Sequence, residues 1–285
     1  MTMLLYAARL LKQYQAGLRR DVKFIFQPAE EYTPPQPGAQ GMIDAGILDN
    51  PRVDAIVGLH IWPAIPAGRM GVKSGACMVA FDVFEFELTG PGGHGALPNE
   101  TPDVVVAAAE AIMAFQTIVS RRLSPLRPAA LTIGSVESGT QANIIPTRVV
   151  GRGNSRYILR EQSEAIRTGM ESILRGVAEA HRVGWKLDYR NSLPATVNDP
   201  EIAKLVHAAS ERVLGPERAE WLADPVMVSE DFSLYTERVP GCMFFLGTGH
   251  GTTQGAGLHN AFFRVNGSIL PIGAALLAQT AIDFR

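Results

Sequence analysis

Two adjacent glutamates, Glu30 and Glu31, close the run Gln27-Pro28-Ala29-Glu30-Glu31 directly after an apolar stretch at residues 22–26. Ligand sites in open α/β sheets gather beyond the carboxyl ends of the strands, so the pair stands where chemistry is expected. Neighbouring side chains on a turn point in different directions. One carboxylate can ligate a metal while the other stays free to take a proton from water. A Glu-Glu pair also occurs as a plain solvated acidic turn, and position alone separates the two readings here.

Two histidines extend the argument. His60 follows a second apolar run at residues 55–59, and His259 lies in Gly257-Leu258-His259-Asn260, beyond a third run at 242–246. A lone histidine at a strand end is commonly a hydrogen-bonded structural residue. A glutamate and two histidines from three strand ends would instead form a half-site for zinc or manganese. His250, in the loop before His259, is a rival ligand. His94 sits in Gly90-Pro91-Gly92-Gly93-His94-Gly95, where glycines either admit a ligand close to the backbone or simply make a turn. Neither the spacing nor the setting suits a nucleotide phosphate loop. His181 and His207 fall on expected helices and read as surface residues. There is no Gly-x-Ser-x-Gly elbow, and neither Cys77 nor Cys242 has the setting of a nucleophile.

The elements that must position these residues are legible from periodicity. Leu4, Ala7, Ala8 and Leu11 share one face of an opening helix. Arg9, Lys12, Arg19 and Arg20, with no acid among residues 1–20, imitate an organelle-targeting segment. Without a small-residue cleavage pattern, the segment reads as a core helix. A strand at 22–26, a short helix at 42–47 and a strand at 55–59 alternate as in an α/β layer with a largely parallel sheet. The texture changes near residue 75. Phe84, Phe86 and Leu88 alternate with Glu85 and Glu87, the pattern of a strand with one wet face. A helix at 102–121, strands at 130–137 and 148–157, a helix at 161–181 and a strand through Trp185, Leu187 and Tyr189 follow. That order, β-α-β-β-α-β, is the ferredoxin-like split pattern. After Pro194 the α/β texture returns, with helices at 200–214 and 269–284, a buried strand at 242–246, and Ser229 as a candidate helix cap. The expected organisation is a catalytic domain in two parts, 1–74 and 191–285, around a lid or dimerisation domain at 75–190.

Composition limits the function classes. The 285 residues carry 26 basic and 28 acidic side chains, a net charge of −2. That balance gives no support for a nucleic-acid partner, despite a short cluster of Arg121, Arg122 and Arg127. No apolar run approaches the ~18 residues of a membrane-spanning helix, so no membrane partner is expected. Two cysteines are too few for a disulfide framework and suit a reducing cytoplasm.

Taken together, the chain resembles the amidohydrolase branch of the aminoacylase and carboxypeptidase-type metallopeptidases, which includes hippurate hydrolases and indole-acetyl-amino-acid hydrolases. The resemblance rests on Phe26-Gln27-Pro28-Ala29-Glu30-Glu31, Gly58-Leu59-His60, Gly92-Gly93-His94-Gly95, Asn143-Ile144-Ile145-Pro146, Ser229-Glu230-Asp231-Phe232 and Leu258-His259-Asn260, in that order. It implies a mostly parallel-sheet metallohydrolase domain with an inserted ferredoxin-like α+β lid domain. It also implies a divalent metal, Mn2+ or Zn2+ at a two-metal site, and cleavage of N-acyl amino acids by metal-activated water. Glu30 is then the general base and Glu31, His60 and His259 are metal ligands. His94 and Asn143 resemble residues that reach the substrate. Arg156 resembles the family's arginine near the substrate carboxylate, although Gly153-Asn154-Ser155-Arg156 departs from the usual Gly-Thr-x-Arg. A homodimer through the lid domain is implied as well. Family members carry a longer leading part that ends in a Cys-Gly-His-Asp stretch and supplies two more ligands. Residues 1–8 resemble the helix after that stretch, so an N-terminally truncated catalytic domain is expected. The alternative is a non-enzymatic dimerising or ligand-binding remnant.

Overall fold

The computed structural model describes residues 1–31, 38–249 and 257–285. Its contacts divide the chain into two compact units, one of Met1–Met78, Thr196–Val226 and Glu230–Arg285, the other of Val79–Ala195 and Met227–Ser229.

The first unit begins with α1 (Thr2–Gln13), α2 (Gly38–Asp44), β1 (Ile56–Trp62), β2 (Met70–Val72) and β3 (Gly75–Met78). After the second unit's elements it resumes with β10 (Thr196–Asn198), α5 (Pro200–Leu214), β11 (Ala219–Trp221), α6 (Ser233–Thr236), β12 (Gly241–Gly247) and α7 (Leu270–Asp283). Four strands form one sheet in the order β1-β12-β2-β11. The β1/β12 and β11/β2 pairings are parallel, and the β12/β2 pairing between them is antiparallel. Every residue of β12 is buried, as expected of a strand covered on both faces. Its alternation splits the core. Cys242, Phe244 and Leu246 pack with Met70, Val72 and the buried face of α5, while Met243 and Phe245 pack with Ile56, Phe232 and Tyr235. The start of α5 is fixed by Asp199, whose carboxylate accepts the Glu201 and Ile202 N–H groups, with Pro200 in the first turn. The opening helix is a core element, as its apolar face predicts: Ala7 and Leu11 pack against Ala278 of α7.

Residues 22–26 differ from expectation. They form no ladder; Phe24 and Ile25 turn into separate apolar clusters, and Lys23 Nζ donates to the Ile47 and Pro51 carbonyls at 2.7 and 2.8 Å. An apolar run supplies side chains for burial but not the neighbouring backbone that a strand needs. His207 differs too. It is not a free surface residue, because its ring stacks on Trp221 at 4.5 Å with 10° between planes.

The second unit comprises β4 (Ala80–Thr89), β5 (Gly93–His94), α3 (Val104–Thr117), β6 (Ala129–Ser138), β7 (Ile144–Ile145), β8 (Arg148–Tyr157), α4 (Arg160–His181) and β9 (Gly184–Leu193). Its main sheet runs β6-β8-β4-β9, antiparallel throughout. Two helices on the inner face complete the ferredoxin-like arrangement expected from the sequence. Along β4 burial alternates residue by residue, so Phe84, Phe86 and Leu88 enter the core with residues of α3 and α4. On the outer face Glu85 and Glu87 pair with Arg152 and Arg148. Phe86 faces Gly151 across the sheet, and a Cβ at Gly151 would fall 2.1 Å from the Phe86 ring. Asp82, fully buried on β4, accepts from the Tyr157 hydroxyl and Ser163 Oγ at 2.7 Å and from the Tyr189 hydroxyl at 3.0 Å.

Contrary to the sequence expectation, one helical stretch reaches membrane-spanning length and apolarity: the 19 residues Val104–Arg122. Its Val104, Ala107, Ala108, Ala111, Phe115 and Ile118 lie in the second unit's core, which accounts for the apolar composition. Phe86 is fully buried and meets Phe115 edge-on at 5.3 Å. Phe86→Ala should therefore destabilise the second unit by about 3–5 kcal/mol, measured by chemical denaturation. A cost below about 1 kcal/mol would show that this ring does not organise the core.

Candidate active site

The turn bearing Glu30 and Glu31 is fastened at its base. Gln27 Nε2 donates to both carboxylate oxygens of Asp231, each at 2.8 Å. The Ala39 N–H, in α2, donates to Asp231 Oδ2 at 3.0 Å. Beside it, the Gly38 N–H donates to the Ala29 carbonyl at 3.3 Å. A Cβ at Gly38 would lie 1.8 Å from the Pro28 oxygen, so the backbone can return here only as glycine. Ala29 has φ of 56°, a left-handed conformation that a non-glycine residue adopts at some cost.

Across from this turn lie Glu230 and Asp231. Glu30, Glu230 and Asp231 each offer an oxygen, and these atoms lie within 4.8 Å of one another. Among the described residues, no other group of three or more histidine, cysteine, aspartate or glutamate side chains gathers as closely. Glu230 accepts the Phe232 N–H at 2.6 Å, and its carbonyl accepts the Ser233 N–H at 3.2 Å, at the start of α6. Ser229 is not the helix cap expected from the sequence: Phe232 holds the N-cap position of α6, and no side chain caps that helix. Ser229 Oγ instead receives Arg156 Nη1 at 3.2 Å.

The electrostatics follow from crowding. Burial, then Asp231, push Glu230 up to about 8 against the opposing pull of the Phe232 N–H; Glu30 and Glu31 add to the rise. Burial, then Glu31 and Asp231, push Glu30 up to about 7, while His259 draws it down. Asp231 is raised by burial, and the Gln27 and Ala39 donors oppose that rise. His259, itself left-handed with φ of 62°, holds Nε2 3.6 Å from Glu31 Oε1. Carboxylates this close, with an imidazole at their rim, have the donor chemistry of a divalent-cation site.

The structure therefore brings together Glu30, Glu31 and His259, and it adds Glu230 and Asp231, to which the sequence reading gave no role. Their signal was present as a second adjacent acidic pair within the Ser229-Glu230-Asp231-Phe232 motif. His60 lies outside the carboxylate group. It stands opposite Phe245 in the β1/β12 ladder, with Nδ1 2.6 Å from the Ile61 carbonyl. When Nδ1–H donates to that carbonyl, Nε2 keeps the lone pair that a ligand needs. His250 falls outside the described residues.

In the second unit, His94 and Asn143 are neighbours. His94 pairs with Ile144 in the β5/β7 ribbon, and the Gly95 N–H donates to the Asn143 carbonyl at 2.9 Å. His94 Nδ1 accepts the Ala96 N–H at 3.1 Å, which leaves the proton on Nε2 and makes that atom a donor. Arg156, on β8, lies with its guanidinium 4.8 Å from the Phe81 ring centroid. Burial lowers its pKa.

Comparison with known proteins gives the lineage. The model of peptidase family M20/M25/M40 matches residues 1–283. An IAA-amino acid hydrolase (ILR1-like 2) of Arabidopsis thaliana is 35% identical over 287 residues, 99% of this chain and 64% of that protein. The N-acetylcysteine deacetylase of Bacillus subtilis is 34% identical over 275 residues, 96% of this chain and 69% of that protein. The chain thus spans about two thirds of the length of these relatives. Among solved structures, Bacillus subtilis YXEP, described as a dinuclear metal-binding peptidase of the M20 family, has a TM-score of 0.80 at 28% identity. That match covers 98% of this chain and 69% of the other.

The crowded carboxylates set a pH dependence. Folding raises Glu30 and Glu230 from 4.5 to about 7 and 8. Their contribution to stability is present below the unfolded value and is lost as pH rises through the folded ones. Stripped of divalent ions, the chain should melt at progressively lower temperature from pH 4.5 to about 8, and Glu230→Gln should flatten that decline. A melting temperature that rises over the same interval in both proteins contradicts this electrostatic account.

Proposed function

The chain belongs to peptidase family M20/M25/M40, and we propose that it is a metal-dependent amidohydrolase that cleaves the amide bond of N-acyl amino acids. The observation that carries the reading is the gathering of Glu30, Glu230 and Asp231 within 4.8 Å, with His259 3.6 Å from Glu31. The substrate class is supported by the relatives, which are named for hydrolysis of an indole-acetyl amino acid conjugate and of N-acetylcysteine.

The residues fit a divalent cation, because clustered carboxylates that burial and mutual repulsion drive towards protonation are relieved by positive charge among them. Glu31, His60 and His259 would hold Mn2+ or Zn2+. The bound metal supplies Lewis acidity and makes water acidic enough to yield its proton near neutral pH. Glu30, with its pKa near 7 before any cation is bound, takes that proton as the water oxygen attacks the amide carbon. The same carboxyl group then returns the proton to the amine as the C–N bond breaks. His94 Nε2–H donates to the carbonyl oxygen as it gains charge, and Asn143 steadies the same end of the substrate. One such donor is worth about 3 kcal/mol to the transition state. Arg156 pairs with the substrate's carboxylate; its side chain, held against Phe81 and the Ser229 hydroxyl, supports that role. The second unit is the lid and dimerisation domain, through which two copies associate. Two buried free cysteines support a cytoplasmic setting.

The test is hydrolysis of N-acetyl and N-benzoyl amino acids, with metal content measured by elemental analysis on the same sample. Turnover should disappear on chelation and return with Mn2+ or Zn2+. Glu30→Gln should lower kcat by about 10²–10⁴-fold while the metal content persists. Turnover that survives exhaustive chelation, or a Glu30→Gln variant with unchanged kcat, would overturn the reading.

A further inference from the structure

We propose that Asp231 is a positioning residue: its carboxylate clasps the chain on both sides of Glu30 and Glu31 and so sets where those two side chains stand. The inference rests on the hydrolase reading above and assigns Asp231 a task distinct from that of its neighbour Glu230.

The clasp has two arms. Gln27 precedes Glu30 by three residues and gives its side-chain amide to both Asp231 oxygens at 2.8 Å. Ala39 follows Glu31 in the chain and gives its backbone N–H to Oδ2 at 3.0 Å. One carboxylate thus receives three N–H···O contacts from the two ends of a single segment. A carboxylate has about four lone-pair directions, so Asp231 is largely committed to these donors. Its burial, 1% exposed, makes the commitment strong, because a buried carboxylate stripped of its donors is costly to keep charged.

The segment it holds has little else of the kind. Residues 21–29 join no sheet, so no ladder fixes their register or height. The other side of the clasp is firm. Phe232 and Tyr235, just beyond Asp231, meet edge-on at 5.9 Å and belong to the cluster that includes Met243 and Phe245 of β12. The buried strand therefore anchors Phe232 and Tyr235, they anchor the Asp231 turn, and Asp231 anchors the Glu30 and Glu31 turn. The residue type of Gln27 also fits. A glutamate of the same length would bring a second negative charge against Asp231, whereas the amide brings a donor. Gly38 completes the geometry by letting the returning chain close on Pro28, where a Cβ would sit 1.8 Å from the carbonyl oxygen.

The experiment uses the full 285-residue chain with two single substitutions. Gln27→Met keeps the length of the side chain and removes the donor; Asp231→Asn keeps the shape and removes the charge. Amide hydrogen exchange is followed in peptides covering residues 27–31 and 38–44, with β12 as the internal reference. Mn2+ affinity is measured by titration calorimetry. Both variants should exchange about 10-fold faster or more in the two peptides, the effect of losing a charge-assisted hydrogen bond, with β12 unchanged. Mn2+ should bind about 10–100-fold more weakly, as when a residue that orients a ligand is lost. In turnover, kcat should fall more than KM rises. Unchanged exchange in both peptides in both variants overturns the proposal. So does an equal acceleration in β12, which would make Asp231 a general stability residue. A wild-type chain that binds no Mn2+ sinks the hydrolase reading instead, and the exchange comparison still decides whether Asp231 clasps the turn.

Discussion

Three carboxylates with oxygens inside 4.8 Å of one another repel, and the hydrogen bonds and packing around them have to offset that repulsion. Like charges at about 4 Å repel by roughly 1 kcal/mol in water and several times that at partial burial. The three respond in different ways. Asp231 is satisfied by N–H donors from Gln27 and Ala39. Glu230 and Glu30 lack that degree of support and rise to about 8 and 7. Identical chemical groups thus acquire different states from their surroundings: one is held charged by N–H donors, and the other two are driven towards protonation.

Holding the group together calls on elements outside it. β12 is buried along its whole length, and its two faces feed two separate clusters. The cluster with Met243 and Phe245 contains Phe232 and Tyr235, which follow directly on the Glu230 and Asp231 turn. Ala29 and His259 both stand at positive φ, an arrangement that persists only where the surroundings over-determine it and that gathers at functional sites. The second unit shows the same economy around a different carboxylate. Asp82 is fully buried and satisfied by hydroxyl donors from β8, α4 and β9, which ties the strands and helix behind Arg156 into one body.

Much of this architecture was legible in the residues. The β-α-β-β-α-β order of the second unit follows from alternation such as that of Phe84, Phe86 and Leu88 with Glu85 and Glu87. The buried strand β12 follows from an unbroken apolar run. Glu30 and Glu31 stood out because two acids follow an apolar stretch. Residues 22–26 misled for a physical reason: composition reports what a segment buries, and pairing depends on a backbone that arrives from elsewhere in the chain. His207 misled because Trp221, which covers its ring, lies on a different element. Glu230 and Asp231 were visible as a motif without a task. The partners of Asp231, Gln27 and Ala39, are about 200 residues away in sequence, and no periodicity carries information over that distance.

The proposed cation site is that of Glu31, His60 and His259, beside the crowded carboxylates of Glu30, Glu230 and Asp231. Crystals grown with Mn2+ and measured on both sides of the manganese absorption edge test it directly. The expected result is an anomalous peak at coordination distance from Glu31, His60 and His259, with Glu30 beside it and Asp231 still engaged by Gln27. A peak elsewhere in the chain, or none at saturating Mn2+, would contradict it.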